Sequence, residues 1–261
     1  MFSLFHFPSK VKQALVPMPL PVETTQQFQF GDRTVVYTLK RSRKARHVRL
    51  LITHEKGLQV TAPLRVSDRQ VTRFVESKTG WITKTLDYYS KFPKFNEAQL
   101  LEQNATAKYL GEDCSVIATH NVNSSRPKAT LSEKTITLQL PAMTPSIAKR
   151  CLEGWYKRQA REIIEQRVAQ FAPQFGVAVG KIAIRGQRTR WGSCSSRGNL
   201  NFNWKLAMAP TEVIDYLVVH ELSHMKELNH SKRFWNVVAT HCPDYKTREH
   251  WLKQNGPLLS F

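Results

Sequence analysis

The sequence of 261 residues is short of acidic residues, cysteine and glycine. Eleven glycines are too few for a collagen-like repeat, and four cysteines are too few for a small disulfide scaffold. No stretch reaches the roughly 18 consecutive apolar residues that a membrane-spanning helix needs. The first residues do not resemble a signal peptide, because Pro8, Lys10 and Lys12 interrupt their apolar runs. We therefore expect a cytoplasmic protein without a membrane span.

The cysteines are far apart in the chain and include no CxxC pair. They are Cys114, Cys151, Cys194 and Cys242. In a reducing compartment, this usage predicts free thiols rather than a disulfide framework.

Basic residues outnumber acidic residues by 39 to 20, which gives a net charge of +19. Such a charge keeps a protein in solution and also attracts polyanions, so nucleotides and nucleic acid are candidate partners. Two basic segments, residues 40–49 and 181–197, contain no acid. Each is typical of a solvated strand face, and together they are suited to line a positive groove. Segment 40–49 has no aromatic residue that could stack on a base.

The N-terminal half combines a proline-rich start with short β-type runs. We interpret residues 1–27 as a flexible arm and residues 28–143 as a β-rich part. Three runs at 34–39, 47–53 and 57–63 predict an antiparallel meander. Ser67 is a candidate helix N-cap, and the helical spacing of apolar residues continues to Tyr89. The sequence predicts two further strands at 114–119 and 135–140, and the polar stretch 93–108 is typical of a loop.

The C-terminal part, residues 144–261, has mainly helical periodicity. A long helix is predicted from Pro145 to Gly176, and a second from residue 211 to residue 228. Strands at 182–185, 188–194 and 200–204 separate the two, and shorter helices follow at 232–240 and 248–253. No internal repeat is evident. We expect an α+β protein in which the β-rich part packs with the helical part, and residues 28–255 are also compatible with one continuous domain.

The segment 213–224 contains the motif HExxH on the second predicted helix. His220 and His224 are four residues apart, so they share one helix face and can bind one metal ion. Glu221 lies beside the first histidine, where its carboxylate can reach a water molecule on that metal. Zinc lowers the pKa of such a water toward about 7, and a carboxylate can then take its proton. The apolar neighbours of the motif indicate a buried helix, and a buried helix seldom carries two histidines without a purpose.

Two residues are candidates for a third metal ligand. Glu227 lies on nearly the same helix face as the two histidines, and a His-His-Glu site is chemically reasonable. His230 follows Asn229, where the helix can end, and a chain reversal there can return its imidazole to the metal. The residues alone leave both open.

A second segment, residues 188–195, contains arginines beside a tryptophan and a glycine. Arg188 or Arg190 can bind an anionic group or stabilise developing negative charge on a substrate. The same strand has an edge that can hold an extended substrate through main-chain hydrogen bonds. We interpret Cys194 as a structural residue rather than a metal ligand.

These segments together resemble the YgjP-like metallopeptidases, which are relatives of the SprT and WLM zincin-like proteins. The resemblance covers roughly residues 30–255, and no departure is evident at the HExxH positions. The motifs that carry it are RSRKAR at 41–46, RWGSCS at 190–195, GNLNFNWKL at 198–206, YLVVHELSH at 216–224, NHSKRFW at 229–235 and PDYK at 243–246.

The resemblance implies a zincin-like helical metallohydrolase part in which His220, His224 and His230 bind zinc and Glu221 is the general base. It favours His230 over Glu227 and a peptide or protein as substrate. Two alternatives remain at this point. One is a UTP pyrophosphatase that uses the same metal site, and the other is a DNA-binding protease that acts on DNA-bound proteins.

Overall fold

The computed structural model describes residues 23–187 and 190–259. The chain divides into two compact units, with the boundary between Tyr88 and Tyr89. Residues 23–27, which the sequence analysis assigns to the arm, form the beginning of a strand, and residues 1–22 lie outside the described part. The predicted domain division at residues 143 and 144 stays a prediction. No helix in the described ranges is both long and apolar enough to cross a membrane.

The first unit is a four-stranded sheet followed by two helices. Its elements are β1 (Glu23–Phe30), β2 (Arg33–Ser42), β3 (Arg49–Thr53), β4 (Gly57–Pro63), α1 (Asp68–Glu76) and α2 (Thr79–Ser90), of which α2 runs across the boundary into the second unit. The strand order is β1-β2-β4-β3, and β2 and β4 are parallel. The predicted antiparallel meander is therefore wrong, and the sheet is mixed. The reason is burial, because β4 buries Leu58, Val60 and Ala62 and takes a central place beside β2.

The core of the first unit lies on one face of this sheet. Alternate residues of β2, namely Val35, Tyr37 and Leu39, are buried, as the period of two in a half-buried strand requires. Helix α1 begins at the predicted N-cap. The Ser67 hydroxyl accepts a hydrogen bond from the backbone of Gln70, whose side chain accepts one from the Ser67 backbone. This capping box satisfies two backbone N–H groups at the helix start.

The second unit begins with a sheet of the same topology as the first. A 3-10 helix (Glu97–Leu101) precedes the strands β5 (Thr106–Tyr109), β6 (Glu112–His120), β7 (Lys128–Ser132) and β8 (Thr135–Leu140). Their order is β5-β6-β8-β7, with β6 parallel to β8 and the other pairs antiparallel. The expectation of no internal repeat is therefore wrong at the level of structure. The sequence retains a trace of the repeat, because residues 55–63 and 133–141 both start with Glu-Lys, alternate apolar residues and end in proline.

The remaining elements of the second unit surround one long helix. They are α3 (Pro145–Phe175), β9 (Ile182–Arg185), β10 (Gly192–Cys194), β11 (Leu200–Asn203), a 3-10 helix (Trp204–Met208), α4 (Thr211–Ser223), α5 (Lys232–His241), α6 (Tyr245–Asn255) and a 3-10 helix (Gly256–Leu258). As predicted, α3 ends before Gly176, which has the left-handed conformation with φ at 58°. Strands β9 to β11 form a third sheet in the order β10-β11-β9. The helix predicted over 211–228 ends at Ser223, and residues 224–226 continue as a hydrogen-bonded turn.

An ion pair joins the long helix α3 to α4. The Arg167 guanidinium donates two hydrogen bonds to the two carboxylate oxygens of Asp215. The side chains are only 22% and 21% exposed, so water screens the pair little. A bidentate contact of this kind fixes both distance and orientation between the two helices.

We expect Arg167→Ala to lower the free energy of unfolding by about 1–2 kcal/mol, because it leaves the half-buried Asp215 carboxylate without its partner. Urea denaturation followed by circular dichroism measures this. Arg161→Ala is the matched control, since Arg161 pairs with Glu165 on the surface of α3 with about half of each side chain exposed. Its effect is expected to be below about 0.5 kcal/mol. Equal effects of the two substitutions would show that the α3–α4 pair contributes no more than a surface pair.

Candidate metal centre

Helix α4 and the loop that follows it bring three histidines together. His220 lies in the last turn of α4, His224 caps the helix, and His230 lies just before the N-cap of α5. Each offers a ring nitrogen, and these atoms all lie within 4.8 Å of one another. The Nε2 atoms of His220 and His230 are 3.1 Å apart. Two nitrogens bound to one zinc ion at 2.0–2.1 Å with a tetrahedral angle lie about 3.3 Å apart, so the distance between His220 and His230 is compatible with a shared zinc ion.

The loop between α4 and α5 also fixes one histidine tautomer. The Nδ1 atom of His224 lies 3.3 Å from the backbone oxygen of Glu227. Only a protonated Nδ1 can donate to that oxygen, so Nε2 of His224 is left with its lone pair. A backbone carbonyl behind a ligating imidazole is a common support for metal ligands. The Glu227 side chain is not part of the cluster formed by His220, His224 and His230. Glu227 contributes to the site through its backbone carbonyl.

Phe234 on α5 lies against all three imidazoles. It is fully buried, and its ring centroid is 4.9, 4.6 and 4.7 Å from those of His220, His224 and His230. The ring centroid of Trp235, the next residue, lies 5.8 Å from those of His220 and His230, and its ring stacks on Tyr245. Such contacts restrict rotation of the imidazole rings. The sequence analysis did not single out Phe234, because its contacts with the imidazoles depend on how the chain reverses before α5.

Glu221 is buried beside the histidines, with only 3% of its surface exposed. Its Oε2 atom has no hydrogen-bond partner among the described residues. Burial raises the pKa of this carboxyl to about 8, and the nearby positive charge of Arg190 opposes the rise. A buried carboxylate without a partner is costly unless a ligand or a reaction uses it.

Burial also favours the neutral form of His220 and His224. The pKa of His220 is lowered to about 3, mainly by burial and further by the two neighbouring imidazoles. Burial lowers the pKa of His224 as well. Neutral imidazole is the form that binds a metal ion. The buried Nδ1 atom of His220 has no hydrogen-bond partner in the described part of the chain.

Gly192 on β10 lies directly against the Glu221 carboxylate. A Cβ atom at this position would lie 2.3 Å from Oε1 of Glu221 and 2.8 Å from its carboxyl carbon. A Cβ atom essentially never lies within 3.0 Å of a non-bonded atom, so a side chain at this position requires the Glu221 carboxylate to shift. The sequence analysis noted a glycine in residues 188–195, and the structure identifies Glu221 as the neighbour that requires it at position 192.

The two arginines predicted to bind substrate differ in what the structure describes. Arg188 lies outside the described residues, whereas Arg190 is exposed and close enough to influence the Glu221 charge. The buried Asn203 side chain, which the sequence analysis did not assign a role, donates hydrogen bonds to the backbone oxygens of Gln187 and Arg190. Cys194 donates a hydrogen bond to the Ser195 carbonyl, and burial raises the pKa of its thiol.

Comparison with known proteins assigns the family. The family model for the YgjP-like metallopeptidase domain matches residues 46–255 of the sequence. The chain therefore belongs to that family and is a hydrolase of the metallopeptidase class. Two solved structures of metallopeptidase zymogens are similar over a third of this chain. Pyrococcus abyssi abylysin is 21% identical and matches over 33% of this chain and 90% of its own, with a TM-score of 0.30. Methanocaldococcus jannaschii jannalysin is 21% identical over 33% of this chain and 93% of its own, with a TM-score of 0.29. Comparison with curated proteins gives no significant match.

The third ligand can be tested by paired substitutions. We expect His230→Ala to weaken zinc binding at least about 100-fold, since changes to groups that merely support a ligand already cost 10–100-fold. Glu227→Ala is the matched control, because it keeps the backbone oxygen that faces His224. We expect it to retain zinc, as measured by competition with a chromophoric chelator. The opposite pattern would make Glu227 the ligand.

Proposed function

We propose that the protein is a zinc-dependent metallopeptidase in which His220, His224 and His230 hold the metal and Glu221 is the general base. The observation that carries this proposal is the buried, unpartnered carboxylate oxygen of Glu221, the residue that follows His220, which is one of three converging imidazoles. Three protein ligands leave one position of a tetrahedral zinc ion open for water or substrate, which is the arrangement of catalytic zinc sites.

The donor set and the surrounding residues fit zinc. All three ligands are imidazoles, two of them with a pKa lowered by burial, and one is oriented by a backbone carbonyl. When bound, zinc supplies Lewis acidity, which polarises a substrate carbonyl and lowers the pKa of a water molecule.

Glu221 then provides proton transfer. Its unpartnered Oε2 atom takes the proton of the attacking water and delivers it to the leaving nitrogen of the cleaved peptide bond. Proton transfer is effective when the pKa of the base lies near the working pH, and burial moves the pKa of Glu221 in that direction. Gly192 allows the carboxylate to occupy this position.

Strand β10 offers a place for an extended peptide beside these groups. Among the residues that the structure describes, it pairs with β11 on one side only and is an edge strand of its sheet. An edge strand can bind a peptide through backbone hydrogen bonds without reading its sequence. The strand also contains Gly192, so a peptide bound along it would lie close to Glu221.

We expect Glu221→Gln to reduce peptide hydrolysis by at least about 1,000-fold, which is within the usual contribution of a general base. The assay uses zinc-loaded protein and a library of fluorescence-quenched peptides. The variant is expected to retain one zinc per chain, because Glu221 is not among the three ligands. Loss of zinc in the variant would contradict the assigned role.

The same pair of proteins separates peptide from nucleotide hydrolysis. Pyrophosphate release from UTP is measured with the wild type and with Glu221→Gln. Release that disappears in the variant, without cleavage of any peptide, would overturn the peptidase proposal in favour of a nucleotide hydrolase with the same metal site.

Gly192→Ala tests the positioning of Glu221. We expect kcat to fall about 100-fold with zinc binding unchanged, since a shift of about 1 Å at a reacting group has an effect of this size. Gly154→Ala on α3 is the matched control, because a Cβ atom there has no neighbour closer than 3.8 Å. An active Gly192→Ala variant would show that the Glu221 position seen here is not required for the reaction.

A further inference from the structure

The first unit concentrates unpaired cations at one end of its sheet. Strands β2 and β4 are parallel and end together, with Ser42 opposite Pro63. Strand β3 is antiparallel to β4 and begins at the same end, with Arg49 opposite Thr61. Helix α1 also begins at this end. Its first residue, Asp68, pairs with Arg41 of β2, which also donates hydrogen bonds to the carbonyls of Pro63 and Val66.

Six cations from three chain segments therefore meet at this end of the sheet. They are Arg43, Lys44 and Arg46 in the β2–β3 connection, Arg49 at the start of β3, Arg65 before α1, and Arg69 in its first turn. We call these six residues the basic end. All six are exposed. None has a hydrogen-bond or ion-pair partner for its side chain among the described residues.

The acids at this end do not neutralise the six cations. Asp68 pairs with Arg41, whose side chain is only 19% exposed, and Glu23 pairs with Lys40 at 2.8 Å. Neither Arg41 nor Lys40 belongs to the basic end. The six charges consequently repel one another with no local compensation, and an external anion would relieve that repulsion.

The second sheet shows that the fold does not require these charges. It has the same strand order and pairing, but its β6–β7 connection, residues 121–127, contains one cation, Arg126, and β7 begins with Lys128. Its β8–α3 connection is Ala142-Met143-Thr144, where the first sheet has Arg65. Because the same topology forms with two cations at these places where the first sheet has six, the additional charges of the first sheet require an explanation other than folding.

We propose that the basic end binds the phosphate backbone of double-stranded nucleic acid. Five of its six cations are arginines, whose planar guanidinium groups suit bidentate contact with phosphate. No Phe, Tyr or Trp lies in residues 40–49 or 63–70, so the surface lacks the stacking groups that bind single strands. Leu64 is the one large apolar side chain exposed in these two segments, which is little for insertion into a membrane. The binding is sequence-independent, since phosphates carry no base information.

The test measures binding of a fluorescent DNA duplex of about 20 base pairs, a length that offers many phosphates. It uses the full chain with Glu221→Gln, so that hydrolysis does not interfere and failure of the metal site has no bearing on the result. The salt dependence of the affinity reports the number of phosphate contacts, with a slope of about 0.9 per contact.

The test variant is Arg43→Gln, Lys44→Gln and Arg46→Gln combined. We expect at least about tenfold weaker binding and a salt slope smaller by about 2–3. The matched control removes the same charge with Lys56→Gln, Lys78→Gln and Lys84→Gln, which are exposed residues of the first unit outside the basic end. Circular dichroism verifies that both variants are folded.

The results that overturn the proposal are defined by the same variants. Equal loss of affinity in the two variants would show that net charge alone, rather than the basic end, attracts the duplex. Absence of salt-dependent binding by the wild type would also overturn it. Vesicles containing phosphatidylserine form the second arm, and binding to them that depends on the basic end and displaces the duplex would assign this surface to a membrane instead.

Discussion

The candidate site depends on the reversal of the chain between α4 and α5. A helix can place two imidazoles one turn apart, but it cannot place a third at the same point without a turn. Helix α4 stops at Ser223, and the loop of residues 224–231 returns His230 to within 3.1 Å of His220. The Glu227 carbonyl in this loop orients His224, and Phe234 just beyond it contacts all three rings. The three candidate ligands, the carbonyl that orients His224 and the aromatic ring that packs on the imidazoles therefore come from one continuous stretch of chain.

Burial gives this stretch its chemical properties. Most residues of α4 are buried, so Glu221 and the His220 Nδ1 atom are held where water screens little. Desolvation favours the neutral form of both residue types, and it shifts their pKa values in opposite directions, down for His220 and up for Glu221. The same helix must also be fixed to the rest of the unit. The ion pair between Arg167 of α3 and Asp215 of α4 and the close approach of Gly192 to Glu221 both contribute to this.

Local features of the fold were predictable, because the sequence signals for them are local. The N-cap at Ser67, the end of α3 at Gly176 and the HExxH spacing each depend on a few neighbouring residues. The parallel pairing of β2 with β4 was not predictable, since it depends on which strand is most buried in the assembled sheet. Strands β5 and β7 were missed for a related reason. They have four and five residues, and the residue that each buries is only an alanine.

The same distinction holds at the site. Sequence spacing alone left Glu227 and His230 as alternatives for the third ligand. In the structure, the His230 imidazole lies near those of His220 and His224, whereas Glu227 places its backbone carbonyl against His224. Gly192 stood out only as a residue without a side chain, because the need for it arises from Glu221, 29 positions further along the chain.

The repeated sheet topology separates what folding requires from what function requires. In the second sheet, the β5–β6 hairpin is anchored on the 3-10 helix that precedes α4. The N–H groups of Leu110 and Gly111 donate to the carbonyls of Ala207 and Met208. This sheet also packs on α3, so its residues are constrained by the part of the chain that builds the metal centre. Features that the two sheets share, such as the buried alternating residues of β4 and β8, are those that the fold requires. Positions at which the two sheets differ in charge, such as the basic end, indicate a requirement of function rather than of folding.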